Sequence, residues 1–291
     1  MSLVVDDMTL ARGGVNVLRH ISCSAEKGQV LGIAGASGAG KTSLLRAMAG
    51  LERETTGRIA IDNTALGQTP TPSKTPASAP CVSYVAQTPE VQLFAKTVFD
   101  EVSFGPKNLG LTREEIAART SWALACVGFD VTRALTQDPL ALSGGEKRLV
   151  ALAATLALKP SYLLLDEPTS GLDASAKRQV EDCIGKVCAS VTACVVASHD
   201  MDFLYRITDH LVVLKAGSIV LQGMTADVLS SEDVLQEAGL VSPGLIRLGR
   251  YLQEAGALEP GSLGQEELQA HITDLAQKLL HKQGGAHDGH R

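Results

Sequence analysis

The feature that most constrains the fold is a glycine-rich segment that fits the pattern G-x-x-x-x-G-K-[ST] of phosphate-binding loops. An apolar run from Val30 to Ala34 precedes it and predicts a buried strand, and the residues from Thr42 to Met48 predict a helix. Strand, loop and helix in this order are the context in which the pattern binds a phosphate. The alternative, a glycine-rich turn that holds a lysine by chance, is disfavoured by these two flanks. The segment, called the phosphate loop below, consists of Gly35, Ala36, Ser37, Gly38, Ala39, Gly40, Lys41 and Thr42.

The residue types of the phosphate loop suit the binding of a nucleotide. Small residues let successive backbone N–H groups surround a phosphate, and the helix N-terminus adds the positive end of a dipole. We expect Lys41 to reach the β- and γ-phosphates and Thr42 to offer its hydroxyl to Mg²⁺. Ser43, the next residue of the helix, completes the predicted phosphate-binding set.

The composition indicates a folded chain and argues against a nucleic-acid partner. The 291 residues are 45% hydrophobic and 20% charged, which is enough for a substantial core in one large domain or two smaller ones. The net charge is −6 without a basic block, so no broad nucleic-acid footprint is expected. The six cysteines form no C-x-x-C pair, which fits reduced thiols in the cytoplasm.

Membrane targeting is not expected from the sequence itself. The N-terminus has neither the basic flank nor the long apolar core of a signal peptide. The longest clean apolar run, Leu149 to Leu158, is too short to span a bilayer. If the protein works at a membrane, other chains must hold it there.

Short strand patterns on both sides of a helical block predict an α/β nucleotide-binding core. Residues 97–158 are expected to form a helical subdomain, with a capping box at Thr112–Glu115, and the Pro/Ser/Thr-rich residues 68–80 an exposed insertion. The predicted division is a nucleotide-binding domain over residues 1–231, a helical extension over 232–283 and a disordered tail over 284–291. Beyond the antiparallel pattern of residues 3–34, strands are predicted at Gly57–Ile61, Val82–Ala86, Tyr162–Leu165, Ala193–Ala197, Leu211–Leu214 and Ser218–Leu221.

A pair of carboxylates follows the predicted strand that begins at Tyr162. Leu163-Leu-Leu165 would carry Asp166 and Glu167 to the end of a strand, beside the loop of a neighbouring strand. We expect Asp166 to hold Mg²⁺ through its water shell and Glu167 to act as general base on the attacking water. Two adjacent carboxylates can also be plain solvated residues, but the phosphate loop favours a function for them.

The segment Leu142–Glu146, with the sequence LSGGE and called the signature segment below, is the most diagnostic stretch after the phosphate loop. Ser143 and Glu146 fit a capping box at the start of a helix. A cap alone does not explain Gly144 and Gly145, because each glycine in a helix costs about 1 kcal/mol relative to alanine. Glycines at a helix N-terminus permit close approach to the backbone, and an anion is the natural occupant.

These segments together resemble the ATP-binding cassette (ABC) ATPases, whose signature motif is usually written LSGGQ. The resemblance covers roughly residues 3 to 230 and implies ATP as the nucleotide. It also implies that Gln87 senses Mg²⁺ and the attacking water, that His199 contacts the γ-phosphate, and that Asp173 contacts the phosphate loop of a second subunit. Taken alone, Gln87 would be a surface amide and His199 a structural histidine.

The resemblance further implies a head-to-tail dimer, in which the signature segment of one cassette closes over the ATP held by the other. The partner is a second copy of this chain or a related cassette. Two residues depart from the family pattern. Glu146 replaces the usual glutamine, and Arg12 stands roughly where an aromatic residue usually stacks on adenine, although a guanidinium plane can stack similarly.

The residues that follow Gln87 resemble those of energy-coupling factor transporter ATPases, which power the uptake of vitamins and of cobalt or nickel ions. In that group the region docks the coupling helices of a transmembrane partner, although some of its apolar residues would also be core. The resemblance also extends weakly to residues 238–258. It rests on the string Gln92-Leu93-Phe94, Val98, Val102, Phe104-Gly105-Pro106, Asn108 and Gly110.

The predicted function is therefore that of an ATP-hydrolysing subunit on the cytoplasmic face of the membrane, peripheral to a transporter. Its fold would be an α/β phosphate-loop ATPase core with an antiparallel β subdomain, a helical subdomain and a helical extension. Another ABC importer or exporter is the alternative, and a soluble cassette acting on ribosomes or DNA is a third. Histidines 281, 287 and 290 have no metal-ligand spacing, so no further metal is expected.

Overall fold

The computed structural model describes residues 2–52, 55–62, 64–65, 82–190 and 193–256, with side chains 189 and 190 excepted. The predicted insertion at 68–80, the predicted tail at 284–291 and the part of the predicted extension beyond residue 256 lie outside the described residues. The α/β architecture expected from the sequence is confirmed. It consists of two sheets, a helical block and a short helical segment at the C-terminal side.

The larger sheet has six strands in the order β10-β9-β3-β8-β7-β6 within the described residues. All neighbours in it are parallel except β9 and β10, which form an antiparallel hairpin. The parallel strands β3, β7 and β8 are buried along their whole length, as expected of short continuous apolar runs. The strands are β3 (Val30–Ala34), β6 (Val82–Val85), β7 (Tyr162–Asp166), β8 (Ala193–Ser198), β9 (His210–Lys215) and β10 (Ser218–Met224).

The smaller sheet is antiparallel and has the order β2-β1-β4-β5. Its long hairpin pairs Leu3 with Ala25 and Arg12 with Val15, with irregular register between these ends. The predicted strand at Gly57–Ile61 lies within β4. The strands are β1 (Ser2–Arg12), β2 (Val15–Glu26), β4 (Thr55–Ile61) and β5 (Thr64–Ala65).

The helical region between β6 and β7 consists of four α-helices and two short 3₁₀ turns, Pro89–Gln92 and Pro139–Ala141. The predicted capping box is present at its second helix. The Glu115 carboxylate accepts a hydrogen bond from the Thr112 N–H at 2.9 Å, and the Glu115 N–H donates to the Thr112 hydroxyl. The helices of the described chain are α1 (Lys41–Met48), α2 (Val98–Asn108), α3 (Arg113–Cys126), α4 (Val131–Ala134), α5 (Gly144–Leu156), α6 (Ala174–Ser190), α7 (Met201–Ile207), α8 (Thr225–Ser230), α9 (Glu232–Glu237) and α10 (Gly244–Glu254).

The larger sheet separates two hydrophobic cores because successive side chains of a strand point to opposite faces. On β7, Leu163 and Leu165 belong to the core shared with the helical block, α6 and α7. Tyr162 and Leu164 belong to the other core, which is shared with α1 and the antiparallel sheet. Burial on both faces holds the parallel strands in register, so their C-terminal ends meet at one edge of the sheet.

The C-terminal helices α9 and α10 fold back onto the domain. The Gly244 N–H at the start of α10 donates to Asp202 on α7 at 2.9 Å. Arg250 of α10 forms an ion pair with Glu232 and also donates to the Ser230 carbonyl at 3.0 Å. No helix in the described part of the chain has the length and apolarity that crossing a membrane requires.

Candidate functional site

Four parallel strands bring predicted site residues to the same edge of the larger sheet. The phosphate loop follows β3, and Gln87 lies two residues beyond the end of β6. Glu167 comes directly after β7, and His199 comes directly after β8. The carboxyl ends of such strands are where α/β sheets bind ligands. The topology therefore brings together residues that are up to 164 positions apart in the chain (35 to 199).

The phosphate loop encloses the buried ammonium group of Lys41. Its Nζ donates to the carbonyl oxygens of Gly35 at 2.7 Å and of Ala36 at 3.3 Å. Gly40 has φ +109, and a Cβ there would lie 2.7 Å from a Leu18 side-chain carbon. The loop thus requires glycine at this position, both for the positive φ and for close packing on β2. It presents one cation at the N-terminus of α1.

Glu167 is buried and held in a conformation that residues other than glycine rarely adopt. Its φ is +48, and its N–H donates to the Ala197 carbonyl at 2.8 Å. The carboxylate accepts from the Ser198 hydroxyl at 3.1 Å, lies 2.9 Å from His199 Nδ1 and 3.4 Å from Lys41 Nζ. A left-handed conformation costs on the order of 1–3 kcal/mol and is typical of functional sites. The strain and the contacts fix the Glu167 carboxylate between Lys41 and His199.

Asp166 is almost completely buried at the end of β7. Burial raises the pKa of its carboxyl group and the neighbouring Glu167 charge adds to this, while hydrogen bonds with Thr42 and Tyr84 and the charge of Lys41 oppose it. Tyr84 donates to Oδ2 at 3.1 Å, whereas Oδ1 is buried without a hydrogen-bond partner among the described residues. Burial and the Asp166 charge in turn raise the pKa of Tyr84 to about 12.

The surroundings of Asp166 fit a Mg²⁺ ion. Mg²⁺ prefers a few carboxylate and hydroxyl oxygens and keeps several of its waters. The Asp166 oxygen that lacks a partner and the Thr42 hydroxyl beside this carboxylate are donors of that kind. Gln87 lies at the same edge of the sheet and is exposed there. This geometry is compatible with a Mg²⁺ ion. Its binding by Thr42, Asp166 and Gln87 stays a prediction.

A cavity of about 770 Å³ lies over the phosphate loop. Its lining includes residues 36–43, Gln87, Glu167 and His199, together with Val17 of β2. Residues 239–242, Gly244 and Arg247 of the C-terminal segment also line it. The cavity is therefore bounded in part by residues of the segment 238–258, which showed only a weak family resemblance in the sequence.

Arg12 does not line this cavity. Its guanidinium forms an ion pair with Glu52 at 2.5 Å, and the same carboxylate oxygen binds Arg46 at 2.6 Å. The predicted stacking of Arg12 on adenine stays untested, and Arg12 would have to contact the base from outside the cavity wall. Val17 is the residue of this sheet that does line the cavity.

The signature segment lies away from the phosphate loop of its own chain and faces solvent. Ser143 and Gly144 are exposed, and a Cβ on Gly144 would meet nothing within 4 Å. Ser143 caps α5 in a complete capping box, because Glu146 accepts from the Ser143 N–H at 3.1 Å and donates its own N–H to the Ser143 hydroxyl at 3.3 Å. The capping prediction is confirmed, and the open space over Gly144 is what the predicted contact with an anion requires.

Two side chains near this segment were expected to act at a shared site. Glu146 also pairs with Arg133 at 2.8 Å, so its carboxylate is satisfied within the chain. Asp173 is exposed and caps α6 by accepting from the N–H groups of Ser175 and Ala176 at 2.9 and 2.8 Å. Neither these residues nor Ser143, Gly144 and Gly145 line the cavity over the phosphate loop. The structure thus holds the two groups of predicted residues on separate surfaces.

Sequence reasoning missed several residues that complete these surfaces. Ser198 and Tyr84 hydrogen-bond to the two carboxylates. Ser198 directly precedes the predicted site residue His199, and Tyr84 lies in the predicted strand that leads to Gln87, so a local signal was available for both. Arg148 on α5 is buried and donates to the Gln87 carbonyl at 2.6 Å and to the Ser170 carbonyl. No local pattern distinguishes Arg148 from a surface arginine of a helix, because its partners are distant in sequence.

Comparisons with known proteins agree with this geometry. The family model described as ABC transporter matches residues 18–170. The energy-coupling factor transporter ATP-binding protein EcfA2 of Symbiobacterium thermophilum is 35% identical over 256 residues, which are 88% of this chain and 88% of that protein. A putative ABC transporter ATP-binding protein of Methanosarcina mazei is 36% identical over 76% of this chain and 74% of that protein.

A solved structure extends the likeness to the fold. The structure of cbiO1 from Clostridium perfringens, described as part of the ABC transporter complex cbiONQ, superposes with a TM-score of 0.71 at 28% identity. It covers 86% of this chain and 98% of that chain. The chain therefore belongs to the ABC transporter ATP-binding proteins, the ATP-hydrolysing subunits of ABC transporters, and energy-coupling factor ATPases are among its relatives.

Proposed function

We propose that this chain is the ATPase subunit of an energy-coupling factor importer that takes up a vitamin or a cobalt or nickel ion. The observation that carries the proposal is the juxtaposition of the phosphate loop, Glu167 and His199 at one sheet edge, with an exposed apolar surface directly after Gln87. The relatives named for energy-coupling factor transporters over most of their length support the transporter type.

The site residues suit ATP hydrolysis without rearrangement of the sheet. The N–H groups of the phosphate loop and Lys41 bind the β- and γ-phosphates, and in doing so Lys41 exchanges its bonds to Gly35 and Ala36 for phosphate oxygens. Thr42, Asp166 and Gln87 would hold Mg²⁺, which neutralises phosphate charge when bound. Glu167 accepts a proton from the attacking water, and His199, 2.9 Å from it, keeps the carboxylate oriented toward the γ-phosphate.

The second half of each ATP site comes from another cassette. Ser143, Gly144 and Gly145 form a helix N-terminus that does not line the cavity over their own phosphate loop, and Gly144 faces open space. A helix N-terminus attracts phosphate oxygens, so a partner's ATP is a suitable occupant. Asp173, exposed at the start of α6, would contact the phosphate loop of that partner. The partner is a second copy of this chain or a related cassette.

The transmembrane partner docks on a surface formed by Val91, Phe94, Phe104 and Leu109, called the docking surface below. These side chains are between 47% and 76% exposed, and the rings of Phe94 and Phe104 pack edge to face at 4.9 Å. Clustered exposed aromatic residues of this kind mark interaction sites. Phe94 and Phe104 belong to the string that resembles energy-coupling factor ATPases, and its members Val98 and Val102 are fully buried, so the string contributes to both the core and the docking surface.

The test of this proposal is copurification from membranes. The double substitution Phe94→Ser with Phe104→Ser should release the membrane partner while the chain keeps its thermal unfolding temperature, since both rings are exposed. Val15→Ser, at an equally exposed apolar residue of the β1–β2 hairpin, is the control and should keep the partner bound. Identification of a shared transmembrane scaffold with a small substrate-binding membrane protein would support the energy-coupling factor type. An exporter, or no membrane protein at all, would contradict it.

A further inference from the structure

Arg148 has a buried guanidinium that contacts three separate segments of the chain. Arg148 is only 9% exposed, although it lies on helix α5, whose N-terminus faces solvent. One terminal nitrogen donates to the Gln87 carbonyl at 2.6 Å and the other donates to the Ser170 carbonyl. The Nε atom lies 3.5 Å from the Glu90 carboxylate. Burying a cation is costly unless it is paired and hydrogen-bonded, so these contacts account for its position.

The geometry of the contacts depends on arginine. A guanidinium is planar and presents its donors as a rigid fork, so one side chain can join two carbonyl groups and a carboxylate at once. A lysine would bring the same charge to this position but only a single nitrogen. The Glu90 oxygen facing Arg148 is buried without a hydrogen bond among the described residues, so Arg148 is its compensating charge.

The three contacted segments lead to three different functional surfaces. Gln87 faces the cavity over the phosphate loop, and Glu90 lies in the 3₁₀ turn Pro89–Gln92 that includes Val91 of the docking surface. Ser170 lies in the loop between Glu167 and Asp173, where its N–H donates to the Glu167 carbonyl at 3.2 Å. Arg148 itself is carried by α5, whose first residues belong to the signature segment.

We propose that Arg148 is a positioning residue that makes the signature helix α5, the segment 87–90 and the loop 167–173 move as one unit. A displacement of Gln87 by ATP then reaches the docking surface through Glu90 and the Asp173 surface through Ser170. The inference rests on the proposed ATPase function. Arg148 does not contact the nucleotide, so its loss should reduce turnover rather than ATP binding.

The experiment compares Arg148→Met and Arg148→Lys with a neighbouring control, Lys147→Met, which removes a cation that forms no ion pair among the described residues. For Arg148→Met we expect kcat to fall at least about tenfold while KM for ATP and the dissociation constant of ATP change less than about threefold. A misplacement of about 1 Å by a residue remote from the chemistry can cost on the order of 10²-fold in rate. Arg148→Lys should recover part of kcat, and Lys147→Met should resemble the wild type.

Hydrogen exchange separates coupling from a merely structural role. In the wild type, ATP should slow amide exchange in residues 86–92 and 168–173 together. In Arg148→Met the response of residues 86–88 should persist, because Gln87 still faces the cavity, while the responses of residues 90–92 and 168–173 should be reduced. If Arg148→Met does not fold, Arg148→Lys and Glu90→Gln provide the same measurement with smaller expected effects.

Two results would overturn the inference: wild-type kcat in a folded Arg148→Met variant, or unchanged coupled exchange in both segments. A fall in ATP affinity equal to the fall in kcat would also overturn it, because that outcome assigns Arg148 to binding. Failure of the underlying function would look different, since the wild-type chain itself would then hydrolyse no ATP.

Discussion

The phosphate-loop surface and the signature surface of this chain differ in how their polar groups are satisfied. At the phosphate loop, Lys41 and Glu167 are buried and bind each other and their neighbours. At the signature segment, Ser143 and Gly144 are exposed and Gly144 faces open space. The first surface holds a complete set of reactive groups, whereas the second offers only a helix N-terminus. The difference fits our proposal that the two surfaces are halves of a site that two cassettes complete.

The same difference predicts which substitutions affect folding and which affect only function. Changes on the phosphate-loop surface alter groups that are buried and interdependent, so they act on stability and catalysis together. On the signature surface a Cβ at Gly144 meets no neighbour in the described chain, so a change there should leave the fold intact, whereas Ser143, Glu146 and Asp173 also take part in helix caps.

The largest effect is expected for Glu167→Gln. The amide keeps the shape of the side chain and its contact with Ser198 but cannot accept a proton from water, so ATP turnover should fall by roughly 10²–10⁴-fold. ATP binding should remain, because the phosphate loop is unchanged. Steady-state ATPase assays together with equilibrium binding of ATP measure both quantities. Turnover close to that of the wild type would remove Glu167 from the role of general base.

The next largest effect is expected for Gly144→Arg. A Cβ here meets nothing within 4 Å in the described part of the chain and the residue is exposed, so the longer side chain can extend into solvent and the unfolding temperature should not fall. Turnover should fall by on the order of 10²-fold, because the arginine would occupy the space in which we propose that a phosphate of the partner's ATP binds. The control is Gly144→Ala, whose methyl group is small and favours the helix by up to about 1 kcal/mol. Full activity in Gly144→Arg would mean that this surface is not part of the ATP site.

The sequence predicted the first surface better than the second. The strands that end at Asp166 and Ser198, and the loop after β3, were found from continuous apolar runs and a local motif. The capping box at Ser143 and the close approach that Gly144 and Gly145 permit were also inferred from a local pattern, whereas a second cassette as the partner came only from the family resemblance. Arg148 lies 61 residues from its acceptor Gln87, and Tyr84 lies 82 residues from Asp166. Such contacts depend on how strands and helices distant in sequence pack together, and no short sequence pattern shows that.

A smaller effect, on stability, is expected for Asp166→Asn. Burial raises the pKa of Asp166, so its ionised form costs folding free energy, and this cost grows as the pH rises through that pKa. The asparagine variant should therefore unfold at a higher temperature than the wild type at pH 7, and the gap should close as the pH falls and the wild-type carboxyl protonates. Thermal unfolding at several pH values without nucleotide tests this expectation. Because Asp166 is also a proposed Mg²⁺ ligand, the substitution should in addition weaken Mg²⁺-dependent ATP binding. An asparagine variant that is less stable at pH 7 would contradict this electrostatic explanation.

The smallest effect is expected for Glu146→Gln, which restores the residue usual in the family. Glutamine can still accept from the Ser143 N–H, and the exposed pair with Arg133 contributes at most about 1 kcal/mol. Hydrogen bonds from the Ser143 backbone and side chain, together with Arg133, lower the pKa of Glu146, so its stabilising contribution is present at neutral pH and is lost as the pH falls through that pKa. The variant should show a slightly flatter dependence of unfolding temperature on acidic pH. A large loss of stability would contradict the small contribution expected of the Arg133–Glu146 pair.

The measurement that tests the shared site most directly is the molecular mass of Glu167→Gln in solution, determined by light scattering with and without ATP. The mass is measured for the isolated chain and for its mixture with any cassette that copurifies. The account predicts that ATP doubles the mass to that of a pair of cassettes, and that adding Gly144→Arg to the same chain abolishes the doubling while ATP still binds. A chain that binds ATP fully yet keeps the mass of a single cassette in every mixture would contradict it.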